Sequence, residues 1–216
     1  MLQARIGSQR LPGKVLMPLA GQSMLGHCLL ALRQMRAHRY LVVTEPSSAA
    51  QIRGEVEARG FELFVGSEHD VLQRYADAAR YAGADTVVRA TGDAPLVSAP
   101  LADRILRRHA RVGADLSHYL GMPLGTGVEV ISAAALRAAA RDAVDPVERE
   151  HLTQHLYRNP ERYRVIEPLC PHAYRDGTHV TVDDEPSYAL VKRIYAALYQ
   201  GHPIEARALV RWLRAS

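Results

Sequence analysis

The chain has 216 residues, of which 48% are hydrophobic and 23% charged, with a formal net charge of +4 at pH 7. That length suits a single domain over residues 1–216, and the apolar share is enough for a sizeable core. No run of 18 unbroken apolar residues occurs and no long apolar run follows a basic start, so neither a membrane span nor a signal peptide is expected and the cytoplasm is the expected location.

The first stretch with chemical character is QARIGSQRLPGKVL, residues 3–16. It sets Arg5, Arg10 and Lys14 among Gly7, Ser8, Pro12 and Gly13. Glycines let backbone N–H groups approach an anion closely. Arg5 and Arg10 can fork onto phosphate oxygens, and Lys14 can supply a point charge. The spacing is not that of a P-loop. The stretch reads as a polyanion loop, or more plainly as a surface turn kept soluble by its cations.

Further along, SMLGHCLLALRQMR (23–36) has helical apolar spacing with Ser23 placed to cap it, and Cys28 lies on its apolar stripe. YLVVT (40–44) is a short β-branched run that predicts a buried strand. A helix over 47–60 ending at Gly60, a strand at 61–65 and a helix over 70–83 with a glycine stop follow. DTVVRA (85–90) predicts another strand, and 98–113 a helix with Ser98 as cap and Pro100 in its first turn. Strand–helix alternation with short connections predicts a mainly parallel sheet with helices on both faces. Ligands in such folds sit at the carboxyl ends of the strands. The loop TGDAPL (91–96) stands at such an end and carries Asp93, a candidate metal carboxylate or a turn former.

Beyond residue 113 the pattern loosens. Strands are predicted at 114–120, 127–132, 162–169 and 179–184, and helices at 134–143, 146–160, 186–200 and 203–215. Residues 117–177 are expected to form a small sub-lobe or dimerisation segment. In TVDDEP (181–186), Asp183 and Asp184 follow an apparent strand; one of them serves as a helix cap and the other is spare. A basic glycine loop, a Gly-Asp after one strand and an Asp after a late strand together make a layout for metal-assisted phosphoryl or nucleotidyl transfer. The basic excess lies mostly on helices such as RILRRHAR, where a solvated face explains it. RNA binding calls for aromatics interleaved with the cations, yet aromatics are 6% of the chain, so no nucleic-acid partner is expected. The two cysteines make no disulfide framework.

These residues resemble a known family. QARIGSQRLPGKVLMPLAGQSML is similar to the N-terminal signature of the cytidylyltransferases that activate acidic sugars, the CMP-sialic acid and CMP-Kdo synthetases, and most of all to their spore-coat-polysaccharide-type branch. The phrases VGSEHDVLQRYADAARYAGADTVVRATGDAPLV, GVEVIS, EREHLTQHLYRNPERY and TVDDEPSYALVKRIY follow that branch in order and spacing. The resemblance implies a GT-A-like, Rossmann-type α/β fold and Mg²⁺-dependent transfer of CMP from CTP to an acidic sugar of the ulosonic-acid type. It implies that Arg5, Ser8, Arg10 and Lys14 hold the triphosphate, that Gly7 gives it room, and that Asp93 and Asp183 hold Mg²⁺. It puts Thr91 near acceptor or ribose and Arg74 near the nucleotide. Glu129, Glu148, Arg149 and His151 match positions facing the acceptor or a second subunit, and a homodimer is implied.

Three departures stand out. Only Met1 and Leu2 precede the QAR triplet, Gly127 stands where relatives often have Asp, and the proline of VDDEP is shifted by one, which offers Asp184 as an alternative to Asp183. CMP transfer to a small phosphonate and nucleotidyl transfer to a sugar phosphate are the related alternatives. A non-catalytic nucleotide- or RNA-binding homologue is the alternative of another class.

Overall fold

The apolar run Leu41–Thr44 forms a strand with every residue buried in the computed structural model, which describes residues 1–215. In chain order the strands are β1 (Leu2–Gln3), β2 (Pro18–Leu19), β3 (Gln22–Ser23), β4 (Leu41–Thr44), β5 (Glu62–Val65), β6 (Thr86–Thr91), β7 (Leu116–Ser117), β8 (Glu129–Ser132) and β9 (Val165–Ile166). The helices are α1 (Met24–Leu32), α2 (Pro46–Ala58), α3 (Val71–Ala82), α4 (Ala99–Val112), α5 (Ala133–Asp142), α6 (Pro146–Glu150), α7 (Gln154–Arg158), α8 (Glu185–Leu198) and α9 (Ala206–Ala215). Seven strands make one sheet in the order β5-β4-β1-β6-β8-β7-β9, and β2 and β3 form a separate hairpin. Only β8 opposes its neighbours; the other pairings of the large sheet are parallel. This is the mainly parallel, helix-flanked sheet that the alternation predicts.

The sheet buries both faces, and successive residues alternate between them. Val42 and Val130 join Leu25, Leu29, Ile52 and Ile105 on the side of α1, α2 and α4. Leu41, Val43 and Ile131 join Leu72, Tyr75 and Leu136 on the side of α3 and α5. A third cluster packs α8 and α9, through Tyr188, Val191, Ile194 and Leu209, against Leu11, Leu96, Val180 and Val182. Leu11, Leu96 and Val182 come from the three loops singled out in the sequence, and Val180 immediately precedes the third. One shared apolar cluster therefore draws the three loops together.

The short β1 is central, with β4 on one side and β6 on the other. Below it the sheet opens onto a cavity of about 450 Å³ lined by Met1, Leu41, Thr86, Val88 and Leu106. The Met1 amine donates to the Val88 carbonyl at 2.7 Å, and burial pulls its pKa down to about 5. This opening is at the opposite end of the strands from the loops.

Several boundaries differ from expectation. Residues 179–184 form no sheet strand; they are an extended segment with one bridge, His179 to Leu124, because Val180 N and Val182 N donate to the carbonyls of Leu124 and Asp93, which belong to two different loops. The strands expected over 114–120 and 162–169 shrink to β7 and β9. The single helix expected over 146–160 is two, α6 and α7. The break between them lets the Thr153 hydroxyl reach back to Glu129 Oε1 at 2.9 Å. Among the described residues no helix is long and apolar enough to cross a membrane.

Candidate active site

The first loop leaves β1 at Ala4 and runs to a 3-10 turn at Lys14–Leu16. Its path is set from below. Thr44, the last residue of β4, donates its hydroxyl to the Ala4 carbonyl at 2.7 Å. Ile6 N donates to Ser48 Oγ at 2.8 Å, and Ser48 in turn donates to the buried Glu45. Arg74, 1% exposed, lies 3.5 Å from Glu45 and donates to the Ser67 carbonyl at 2.7 Å. Burial pulls its guanidinium below the ordinary arginine value, with Glu45 opposing. Arg74 thus sits beneath the loop rather than on the cavity above it. Glu45 and Ser48 carry no sequence signal of this role beyond their place at a strand end.

The second loop follows β6. Gly92 N donates to the Gln3 carbonyl at 2.8 Å, and a Cβ at Gly92 would stand 3.2 Å from that same oxygen. A Cβ would crowd this approach, and the turn carries Asp93 over the end of β1. The third loop is tied directly to the second, because Val182 N donates to the Asp93 carbonyl at 2.8 Å. Gly125, at φ +102°, lets residues 180–182 pass; a Cβ there would lie 2.9 Å from Thr181 N. Asp184 is the N-cap of α8 in a reciprocal capping box with Ser187, whose hydrogen bonds hold its carboxyl below the usual range. Asp183 is left to face the cavity.

The three loops meet on Lys14. Its ammonium donates to Asp93 Oδ2 at 3.0 Å, Asp183 Oδ1 at 3.1 Å and the Val182 carbonyl at 2.7 Å. Arg10 Nη2 adds a bond to Asp183 Oδ1 at 2.9 Å, and Arg5 Nη1 lies 3.4 Å from Glu150 Oε1. Every cation of the first loop has a carboxylate partner. They line a cavity of about 680 Å³ whose wall also includes Gly7, Ser8, Thr91 and His151. A Cβ on Gly7 would meet nothing within 4 Å, so the cavity is open over that residue.

A second cavity of about 340 Å³ adjoins the first and shares Arg89 and Thr91 with it. Glu129, His118, Tyr119, Met122, Gly127 and Thr181 also line it. Arg89 donates to Glu129 Oε2 at 2.5 Å and to Gln3 Oε1 at 3.1 Å, and His118 Nε2 lies 2.8 Å from Glu167 Oε1. Glu148 and Arg149 stand off both cavities. Glu148 is buried with His155 at 2.6 Å and Arg158 at 3.2 Å, which hold its carboxyl below the usual range. Arg149 pairs with Asp70, the N-cap of α3, at 3.0 Å. Glu150, one residue on, is the member of that helix on the first cavity, a difference of helical phase that family spacing alone does not resolve. Arg89 and His118 are likewise on the second cavity without sequence motifs to mark them.

Among the described residues there is no group of three or more His, Cys, Asp and Glu side chains able to hold a metal ion. Asp93 and Asp183 converge on one point instead. Two carboxylates beside a cationic glycine loop fit Mg²⁺ shared with phosphate oxygens, and do not fit an all-protein cage.

A mainly parallel α/β sheet with a cationic glycine loop, one carboxylate after a strand and a second brought to face it by an extended segment is the architecture of a nucleotidyltransferase. The sequence profile of the cytidylyltransferase family matches residues 1–204, and the chain belongs to that family. It is 29% identical to the spore coat polysaccharide biosynthesis protein SpsF of Bacillus subtilis, covering 99% of this chain and 92% of that one. A 3-deoxy-manno-octulosonate cytidylyltransferase of Pectobacterium carotovorum is 27% identical over 82% of this chain and 74% of its own. Among solved structures, a cytidylyltransferase from Leptospira borgpetersenii superposes with a TM-score of 0.91 at 25% identity, covering 99% of this chain and 92% of that one. A CMP:2-keto-3-deoxy-manno-octonic acid synthetase complexed with CTP shares the fold, with a TM-score of 0.69 at 16% identity over 91% of this chain and 97% of its own. The protein is a CTP-dependent nucleotidyltransferase.

Proposed function

We propose that the protein transfers CMP from CTP to a small acidic sugar of the ulosonic-acid type, with Mg²⁺, and releases pyrophosphate. One observation carries this reading: Lys14, Asp93 and Asp183 meet on the wall of a cavity that a second, smaller cavity adjoins. The larger cavity takes the triphosphate. Arg5, Arg10, Lys14, Ser8 and the backbone around Gly7 bind its oxygens, and Asp93 with Asp183 hold the metal. The smaller cavity takes the acceptor, with Thr91, Arg89 and Glu129 at the shared boundary and His151 on the wall of the larger one. The acid-sugar class rests on the names of the relatives, and so does a place in polysaccharide biosynthesis.

The acceptor hydroxyl oxygen attacks the α-phosphorus in line and its proton passes to solvent water in the open cavity; the new P–O bond forms and the bond to pyrophosphate breaks. When bound, Mg²⁺ withdraws charge from the phosphates. Lys14 and Arg10 stabilise negative charge on the departing pyrophosphate, and Arg5 orients the chain of phosphates. Arg74 and Glu45 act at a distance by fixing the backbone at Ile6. Residues 117–177 supply the acceptor wall and, in a homodimer in the cytoplasm, the contact between subunits.

The test is pyrophosphate release from CTP and Mg²⁺ against panels of ulosonic acids, small phosphonates and sugar phosphates, with the CMP conjugate identified by mass. Release with an ulosonic acid supports the reading. Release only with a phosphonate or a sugar phosphate replaces the acceptor class. No release with any acceptor, together with tight CTP binding, makes the protein a non-catalytic homologue.

A further inference from the structure

Lys14 occupies the place between the two carboxylates that a metal ion needs. Its three donors are all used within 3.1 Å, two of them on Asp93 and Asp183. The side chain is 11% exposed, so the ammonium is held in place and not loosely draped over the site. Arg10 adds a second positive charge on Asp183 Oδ1 at 2.9 Å. Lys14, Arg10, Asp93 and Asp183 form a quartet of zero net charge. A free divalent cation entering it has to break the lysine bonds and leave the Lys14 ammonium uncompensated in a partly buried place, with the Arg10 charge still nearby, which is unfavourable.

We propose that this is one cation position with two alternative occupants: the Lys14 ammonium in the nucleotide-free protein, and the divalent metal once a nucleotide triphosphate is present. This rests on the assignment of Asp93 and Asp183 as the metal's carboxylates. The anionic triphosphate supplies the exchange. It gives Lys14 and Arg10 new partners, which frees the carboxylates, and it brings oxygens to complete the metal's coordination. The nucleotide-free protein therefore excludes free metal, and metal enters with the nucleotide. Lys14 acts twice, first as a placeholder for the metal and then as a ligand of the phosphates. A lysine suits both tasks, because its single charged nitrogen sits on a flexible stem and can change partners.

Manganese is the probe. Its binding to the nucleotide-free protein is read by electron paramagnetic resonance for wild type, Lys14→Met and Lys14→Gln, with thermal melts to establish that each is folded. The expected result is Mn²⁺ binding at least about tenfold tighter in the variants than in wild type, from removal of one like charge beside the site. Equal or weaker binding in the folded variants overturns the proposal. A second measurement needs no variant. Lys14 and Lys192 are the only lysines in the chain, so ε-¹³C-lysine labelling gives two signals. Without nucleotide, Mn²⁺ is expected to leave the Lys14 signal sharp; with CTP it is expected to broaden it. Broadening at the same Mn²⁺ concentration without CTP overturns the proposal. Pyrophosphate release that stays intact alongside such a result spares the functional reading, whereas Mn²⁺ that never reaches Lys14, even with CTP, removes the metal assignment as well.

Discussion

Two of the 27 basic residues are lysine, and one of them stands where three loops meet. A compact ammonium can donate to three oxygens around one point, as Lys14 does, while a planar guanidinium fork cannot. The residue scale also sets the response to pH. His27 Nε2 donates to the Leu19 carbonyl at 2.6 Å, and His109 Nδ1 pairs with Ser117 Oγ at 2.8 Å; both are buried. Desolvation holds both imidazoles below their ordinary value of 6.5. The unfolded chain then takes up protons below pH 6.5 that the native state refuses, so stability falls from that pH downward until the lowered native values are reached. The melting temperature is expected to drop on acidification from pH 7 to 5, and His109→Gln to lessen the drop. An unchanged slope in that variant removes His109 as a cause.

At the scale of elements, the position of Asp183 depends on an extended segment that is no strand. Gly125 gives that segment its passage, with φ +102° and no room for a Cβ against Thr181. Gly125→Ala is expected to cost about 1–3 kcal/mol through backbone strain and displacement of residues 180–182. Denaturant unfolding reads this, with Gly177→Ala as control, since nothing lies within 4 Å of a Cβ there. Equal stability of the two variants contradicts this account of the segment. The helices α1 to α5 were legible in the sequence because their apolar residues recur at helical spacing and their ends carry Ser23, Gly83 and Gly113. The segment at 179–184 was not, because alternation of Val180 and Val182 is the same pattern whether the buried side faces a sheet or a helix. The split between α6 and α7 was hidden too, since the hydrogen bond of Thr153 to Glu129 joins residues far apart in sequence.

At the scale of the whole molecule, the catalytic proposal depends on packing as much as on charge. Leu11, Leu96 and Val182 bury in one cluster, and each lies within three residues of a charged member of the site: Arg10 and Lys14, Asp93, and Asp183. The sequence made the charged members visible as motifs. It left their apolar anchors anonymous, because a buried leucine in a loop resembles any other core leucine until the fold is known. Glu45, Ser48 and Arg89 were missed for a similar reason: their partners at Ile6, Gln3 and Glu129 arrive only through the register of β1, β4, β6 and β8.

The most direct measurement is the rate of pyrophosphate release from CTP with Mg²⁺ and a competent acceptor, compared between wild type and the variants Asp93→Asn and Asp183→Asn. Both variants are expected to stay folded and to lose at least about a hundredfold in rate, the size of one electrostatic stabiliser removed from the transition state. Near wild-type release in either one contradicts the claim that the two carboxylates and Lys14 form a single catalytic centre.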